Sequence, residues 1–320
     1  MATVSPVEFS KAANMEQLYE LLAKAGIGPG WNKPEPSLWP SPKKNFLPAH
    51  FSYSIGHAAL ESAGKFVSTE LAERRNLILS NPVPGNTYGT ARTIVSAYQM
   101  VMPHEVARSH RHTPNALRLV VDAAPRTYTI VDGKKVPMLP GDVLLTPNWS
   151  WHGHSNESDE CAYWIDFLDA PLVQLLEPMF LEGFPGGFVE KTDVVDETSP
   201  FRFPFAEVKA KLATLPSSPD GKRDLLLGPK TLDTLDLHVW GLDAGAEYSD
   251  ARRTANSVFA VMEGRGTSVI EGSEFRWDRG DVFVVPAWNS HDCKADVGSH
   301  LLRVTDAPVM RRFNWFREQA

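Results

Sequence analysis

Two closely spaced histidine pairs, His110 and His112, then His152 and His154, are the side chains best suited to chemistry. Side chains alternate across a β-strand with period two, so each His-x-His puts both imidazoles on one face. Two imidazoles from one strand and a third from another make a three-nitrogen metal site with open positions. That layout belongs to catalysis rather than to a closed structural ion. His110, His112 and His152 are the expected ligands. His154 shares a face with His152 and is either an alternative ligand or a neighbouring acid/base group. His152 takes precedence because its spacing from Pro147 recurs between Pro286 and His291.

That recurrence is one of several. Gly141-Asp142 leads to Pro147 and His152 as Gly280-Asp281 leads to Pro286 and His291, and Trp149 matches Trp288. Thr113-Pro114-Asn115 is echoed by Thr254-Ala255-Asn256, the hairpin signal Asp132-Gly133 by Glu271-Gly272, and Leu168-Asp169-Ala170-Pro171 by Thr305-Asp306-Ala307-Pro308. Markers repeated in one order predict two β-domains of one kind. Aligned on Thr-x-Asn, Ala251 and Arg253 stand opposite His110 and His112. One remaining histidine, His291, does not make a metal site, so the second domain is expected to be structural.

The positioning elements follow from texture. Ser5-Pro6 opens a helix, and Met15, Leu18, Leu21, Leu22 and Ala25 form a helical stripe ending at Gly26. Residues 28–48 are rich in proline with Trp31, Trp39 and Phe46, an arm expected to drape over a surface of this chain or of a neighbour; a second helical stretch covers 57–73. From residue 74 short β-rich runs alternate with turns, the pattern of a barrel or sandwich. Residues 171–230 read as helix and loop, with an exposed turn at Pro216-Ser217-Ser218-Pro219-Asp220-Gly221. The expected domains are an arm at 1–73, a metal-bearing barrel at 74–172, a helical linker at 173–232 and a metal-free barrel at 233–320.

With 320 residues, 42% of them hydrophobic, the chain can build two such domains. A net charge of −7 gives no electrostatic support for a nucleic-acid partner. Cys161 and Cys293 fit a reducing cytoplasm rather than a disulfide framework. The N-terminal stretch, broken by Glu8 and Glu16, reads as neither a signal peptide nor a membrane span.

Gly-x5-Pro with a following His-x3-Asn, preceded by His-x-His, resembles the two motifs of the cupins, small double-stranded β-helix (jelly-roll) barrels; two copies make a bicupin. Glu73-Arg74-Arg75-Asn76-Leu77-Ile78-Leu79-Ser80-Asn81-Pro82, Gln99, His110 to Thr113, Asn115 to Arg118, Thr146 to Asn156, Trp164-Ile165-Asp166 with Leu168-Asp169 and Pro171, and Phe201-Arg202-Phe203-Pro204-Phe205 resemble the gentisate and salicylate 1,2-dioxygenases. The resemblance covers residues 70–310 and is most specific around the first barrel. It implies a mainly β bicupin with an N-terminal arm and helical linker. It further implies one Fe(II) per subunit and O2-dependent cleavage of an aromatic ring between the carboxyl- and hydroxyl-bearing carbons. Substrates of such enzymes include gentisate, salicylate, substituted salicylates such as 5-nitrosalicylate, and 1-hydroxy-2-naphthoate. It also implies homotetramers.

The chain departs from many cupins in lacking a glutamate after His-x-His, where Thr113-Pro114-Asn115-Ala116-Leu117 stands. Three neutral imidazoles leave a divalent ion its full charge, which suits a ligand carrying carboxylate and hydroxyl side by side. A bicupin isomerase or decarboxylase using Mn or Zn would more naturally carry that glutamate, and a non-catalytic binding protein would not be expected to keep the arginines and Gln99. For the substrate carboxylate the candidates are Arg118, inward by strand parity with His112, and Arg74, to which the family motif points in preference to Arg75. Gln99, Val95 and Ala97 share one strand face and are expected to line a pocket wall; Val95 stands where the family often has a large aromatic. Asp166 is expected to orient a histidine, and His104 to be solvated in a loop.

Overall fold

The computed structural model describes residues 4–72, 74–185, 192–228 and 232–319. Glu73 and the linker stretches 186–191 and 229–231 lie outside the described residues. The chain forms two compact units, Met1–Lys43 and Lys44–Ala320. In the first, Pro6–Ser10 is a short helix closed by a Ser5–Glu8 capping box. Met15–Ala25 is a longer one, capped by Asn14 and ended by Gly26 at φ 71°. The break between them falls at Asn14, whose side chain accepts from Gln17 N at 2.9 Å and so starts a new helix.

The second unit is mainly β and holds two barrels. The first joins a six-stranded sheet, in the order Arg202–Phe203, Val143–Thr146, Ala116–Asp122, Ala162–Leu168, Val95–Val101, Arg75–Ile78, to a five-stranded one. That one runs Leu181–Gly183, Val106–His112, His152–Asn156, Thr127–Val131, Lys134–Pro137. The second barrel joins Ala49–Phe51, Val282–Val285, Ser257–Glu263, Ser299–Thr305, Asp236–Leu242 and Lys222–Leu226 to Glu247–Asp250, His291–Ala295, Arg265–Ile270 and Ser273–Asp278. Every pairing within these four sheets is antiparallel. The two hairpins expected from Asp132-Gly133 and Glu271-Gly272 are present, with φ of 44° and 79° in the first and 48° and 83° in the second. Both turn residues at positive φ is the geometry whose twist matches the flanking strands.

The central strands are buried on both faces, which explains why they read as apolar runs rather than as alternation. Leu117, Leu119 and Val121 of the first barrel join Val258, Ala260, Val282, Val284, Leu302 and Val304 of the second in one shared core. The six-stranded sheets therefore meet through their outward faces. The opposite parity points into each barrel. The first interior holds Val101, Val120, Val131, Leu144 and Trp164; the second holds Trp240, Phe259, Trp277, Phe283 and Leu301.

Segments outside the barrel repeats contribute strands. Ala49–Phe51 pairs with Val282–Val285 at the edge of the second barrel's sheet, and Tyr53–Gly64 is the helix that follows. The stretch expected to be helical linker does contain the helix Phe205–Thr214, but it also gives Leu181–Gly183 and Arg202–Phe203 to the first barrel and Lys222–Leu226 to the second. Among the described residues no helix is long and apolar enough to cross a membrane.

Candidate metal centre

His110 and His112 end the Val106–His112 strand and His152 begins its neighbour, with His110 directly opposite His152. A β-bulge between Ala107 and His110 shifts the register and bends the strand so that both imidazoles enter the barrel. The three rings face one another with centroids 4.6 to 5.5 Å apart, and their ligand atoms lie within 4.8 Å. Among the described residues this is the one group of three or more side chains able to hold a metal.

The rings are prepared for ligation. His112 Nδ1 lies 2.8 Å from the Pro114 carbonyl and His152 Nδ1 3.0 Å from the Ser150 carbonyl, so each donates there and leaves Nε2 as the lone-pair nitrogen. Pro114 thus serves through its carbonyl, which any residue there would supply. Burial, reinforced by the positive field of Arg74, pushes His110 down to about 3. Burial also lowers His112, and lowers His152 strongly. All three are neutral at pH 7 and free to bind a cation.

Gly153, between His152 and His154, allows the two histidine strands to approach. A Cβ there would lie 2.7 Å from Ser109 Oγ and 3.1 Å from the Ala107 carbonyl. Trp149, at φ 62°, occupies a conformation a bulky residue rarely adopts, and its N–H donates to the His112 carbonyl at 3.0 Å. The rim is closed by the linker strand: Leu181, Glu182 and Gly183 pair with His112, Arg111 and His110. Arg111 bonds Glu182 at 2.7 Å and lies over the rings of Trp149 and Trp151.

Deeper in the barrel, Arg118 points inward, on the same strand face as Val120, and is 1% exposed. Its Nη1 donates to Thr129 Oγ1 at 2.9 Å and lies 3.0 and 3.2 Å from the two nitrogens of His154, and Nη2 donates to Thr146 Oγ1 at 3.3 Å. Arg118 Nε and Asp166 Oδ1 face each other at 3.4 Å without hydrogen-bond geometry. The expectation that Asp166 orients a histidine is corrected here. Its cross-strand partner is Arg118, because the two residues sit in direct register. Burial and Arg118 push His154 far down, so it is neutral; accepting from Arg118 at one nitrogen, it keeps its proton on the other. Its ring lies tilted against that of Trp164, centroids 4.8 Å apart, and stands apart from the three-histidine cluster.

Val95, Ala97 and Gln99 lie on the inward face, opposite Leu168, Asp166 and Trp164. Arg74 Nε donates to Gln99 Oε1, and its charge reaches His110, His112 and His154. Arg75 is turned away and pairs with Glu105. His104 lies on the exposed surface beside Asp159, as its loop position predicts. Thr129 and Thr146, which the sequence reading passed over, supply Arg118 with neutral acceptors; threonines on β-strands carry no signal of such a role.

A double-stranded barrel with this interior cluster is a cupin, and residues 97–168 match the family model described as a cupin domain. The chain is 33% identical to a 5-aminosalicylate 1,2-dioxygenase of Comamonas sp, over 96% of this chain and 90% of that protein. It is 29% identical to a gentisate 1,2-dioxygenase of Aquipseudomonas alcaligenes, over 95% of each. The structure superposes on a salicylate 1,2-dioxygenase from Pseudaminobacter salicylatoxidans with a TM-score of 0.86 at 27% identity, covering 96% of this chain and 97% of that one. The chain belongs to the gentisate and salicylate 1,2-dioxygenase family, and is a bicupin oxidoreductase that cleaves an aromatic ring with O2.

Proposed function

We propose that the chain is an Fe(II) enzyme that opens a 2-hydroxybenzoate between its carboxyl- and hydroxyl-bearing carbons, with gentisate, salicylate and 5-substituted salicylates as the substrate class. The observation that carries this reading is the pairing of three neutral imidazoles with two arginine charges. His110, His112 and His152 would hold one Fe(II) per subunit, with no carboxylate in the set. Bound there, the ion supplies a Lewis acid with open positions and a route for electrons between substrate and O2. A substrate bringing a carboxylate and an ionised hydroxyl meets cationic ligation on one side and Arg118 and Arg74 on the other.

Within this reading Arg118 is held in one orientation by Thr129, Thr146 and Asp166, and offers the substrate carboxylate its positive charge and the remaining N–H of Nη2. Arg74 and Gln99 act as a joined pair at the pocket wall. His154 is a neutral hydrogen-bond partner for a substrate oxygen, with Trp164 at its back. Val95 and Ala97 are small side chains on the wall, leaving room for ring substituents. Structures of the salicylate 1,2-dioxygenase solved with gentisate, at a TM-score of 0.88 to this chain, support an aromatic carboxylate in such a pocket.

Anaerobic protein loaded with Fe(II), then given air and a panel of gentisate, salicylate and 5-amino-, 5-nitro- and 5-chlorosalicylate, is expected to consume O2 stoichiometrically with at least one of them. Absence of uptake across the panel removes the substrate reading. Assembly as a cytoplasmic homotetramer is the family's implication; light scattering of purified protein tests its oligomeric part.

A further inference from the structure

Each barrel carries the same buried clasp, closed by a threonine of the other barrel. In the first, Asn115 donates from its backbone N–H to Asp169 Oδ1 at 2.8 Å and from Nδ2 to Asp169 Oδ2 at 3.0 Å. Thr234, two residues ahead of the second barrel's Asp236–Leu242 strand, donates to the same Oδ2 and accepts from Asn115 Nδ2 at 3.0 Å. In the second, Asn256 and Asp306 make the same contacts at 2.7 and 2.8 Å. Thr93, two residues ahead of the Val95–Val101 strand, closes that clasp by donating to Asp306 and accepting from Asn256.

The clasps are alike in their bonds but not in what they hold. With its Nδ2 committed to Asp169 and Thr234, Asn115 must present Oδ1 to the backbone N–H of Asn148, 3.0 Å away. Asn148 opens the turn that contains Trp149, which bonds the His112 carbonyl, and leads to His152. Asn115 itself follows His112 by three residues. This carboxamide therefore ties together the two chain segments that deliver His112 and His152. The mirror clasp holds Ala287 N at 3.1 Å, in a turn whose strands bear Arg253 and His291 and no ligand set.

We propose that Thr234 is a positioning residue for the first barrel's metal ligands, so that the second barrel, which has no three-histidine cluster among its described residues, sets the geometry of the one that does. The proposal rests on the reading that His110, His112 and His152 hold Fe(II). The test compares Thr234→Val with its mirror Thr93→Val, each removing one hydroxyl from an equivalent clasp. The rate at which Fe(II) passes from the loaded enzyme to a chelator is expected to rise about tenfold in Thr234→Val, as it does when outer supports of metal ligands are removed, and to stay at the wild-type value in Thr93→Val. The visible spectrum of the Co(II)-substituted protein should shift in the first variant alone. Turnover should fall with little change in KM, and Thr234→Ser should restore all three. Equal acceleration in both variants, or none in Thr234→Val, overturns the proposal. Should Thr234→Val not fold, the Thr234→Ala and Thr93→Ala pair makes the same comparison. A wild-type protein that retains no Fe(II) defeats the metal reading itself, whereas one that binds iron and is indifferent to residue 234 defeats only this inference.

Discussion

The two barrels share strand order, hairpins and turn strain, yet at matching positions one interior carries Arg118, Asp166 and His154 and the other Phe259, Arg303 and Cys293. Trp149 and Trp288 both adopt φ above 60° ahead of a histidine. His152 faces Val131 and His291 faces Ile270 in the same register. Around that common frame, the inward pair Arg118 and Asp166 corresponds to Phe259 and Arg303, which also lie in direct register. His154 corresponds to Cys293 and Gly153 to Asp292. His291 is packed among Trp240, Phe259 and Phe283 and bonded to Ser268 at 3.0 Å. The difference teaches that a barrel of this kind is stable with either filling. Both fillings keep charge out of water, Arg118 with Asp166 in the first barrel and Arg303 in the second, and the in-register pair of opposite charges sits where the three histidines are.

Replacing a ligand breaks the comparison most sharply. His152→Ala or His110→Ala should abolish stoichiometric iron and lower turnover by roughly three orders of magnitude or more, the scale of losing Lewis-acid stabilisation. His291→Ala should leave iron content at the wild-type value. Iron lost from His291→Ala, measured by metal analysis, would place a function in the second barrel. Next in size is the pair of buried arginines. Arg118→Lys keeps the charge but loses the fork, and kcat/KM should fall about 10- to 100-fold, the worth of a charge-assisted hydrogen bond. Arg303→Lys should change thermal stability alone. If steady-state kinetics respond equally to both, Arg118 has no special relation to the substrate.

Gly153→Ala should cost about 1–3 kcal/mol in denaturant unfolding, the usual penalty of overpacking, and loosen the metal. The reason is that the added methyl meets Ser109 and the Ala107 carbonyl. Asp292→Ala at the matching position should be near neutral, and a tolerant Gly153 would show the strands to be less closely opposed. The smallest effect concerns pH. Burial pushes His291 down to about 4 from 6.5. Between those values the unfolded chain binds the proton and the folded chain does not, so stability falls as pH drops through this window, by at most about 1.4 kcal/mol per pH unit from this one group. His291→Phe should flatten the slope of Tm against pH from 6.5 to 4. An unchanged slope would show that acid sensitivity arises elsewhere, the first barrel's histidines included.

Much of this was legible in the residues. The repeated markers announced two barrels, and period two put His110 and His112 on one face of their strand, while Arg118 was expected inward on the condition that no bulge intervened. The unequal copies indicated which barrel carries chemistry. Other features were not legible. Leu181–Gly183 backs the ligand strand from within a stretch that reads as loop, because so short an edge strand is defined by its partner rather than by its own pattern. Ala49–Phe51 joins the second barrel's sheet although it precedes the first in sequence. The choice between Arg74 and Arg75 turned on which of two adjacent side chains meets Gln99, a matter of strand register.

By itself, then, the sequence determined the fold class, the ligand set expected for the metal and the loss of that set in the second copy. These depend on residue type and local periodicity, which are properties of neighbours along the chain. Only the tertiary structure decided that Asp166 faces Arg118 rather than an imidazole, that His154 is held beside Arg118 instead of among the ligands, and that Thr93 and Thr234 cross between barrels. Those outcomes depend on register and on the packing of two sheets against each other, and such long-range contacts bring together groups that no local pattern relates.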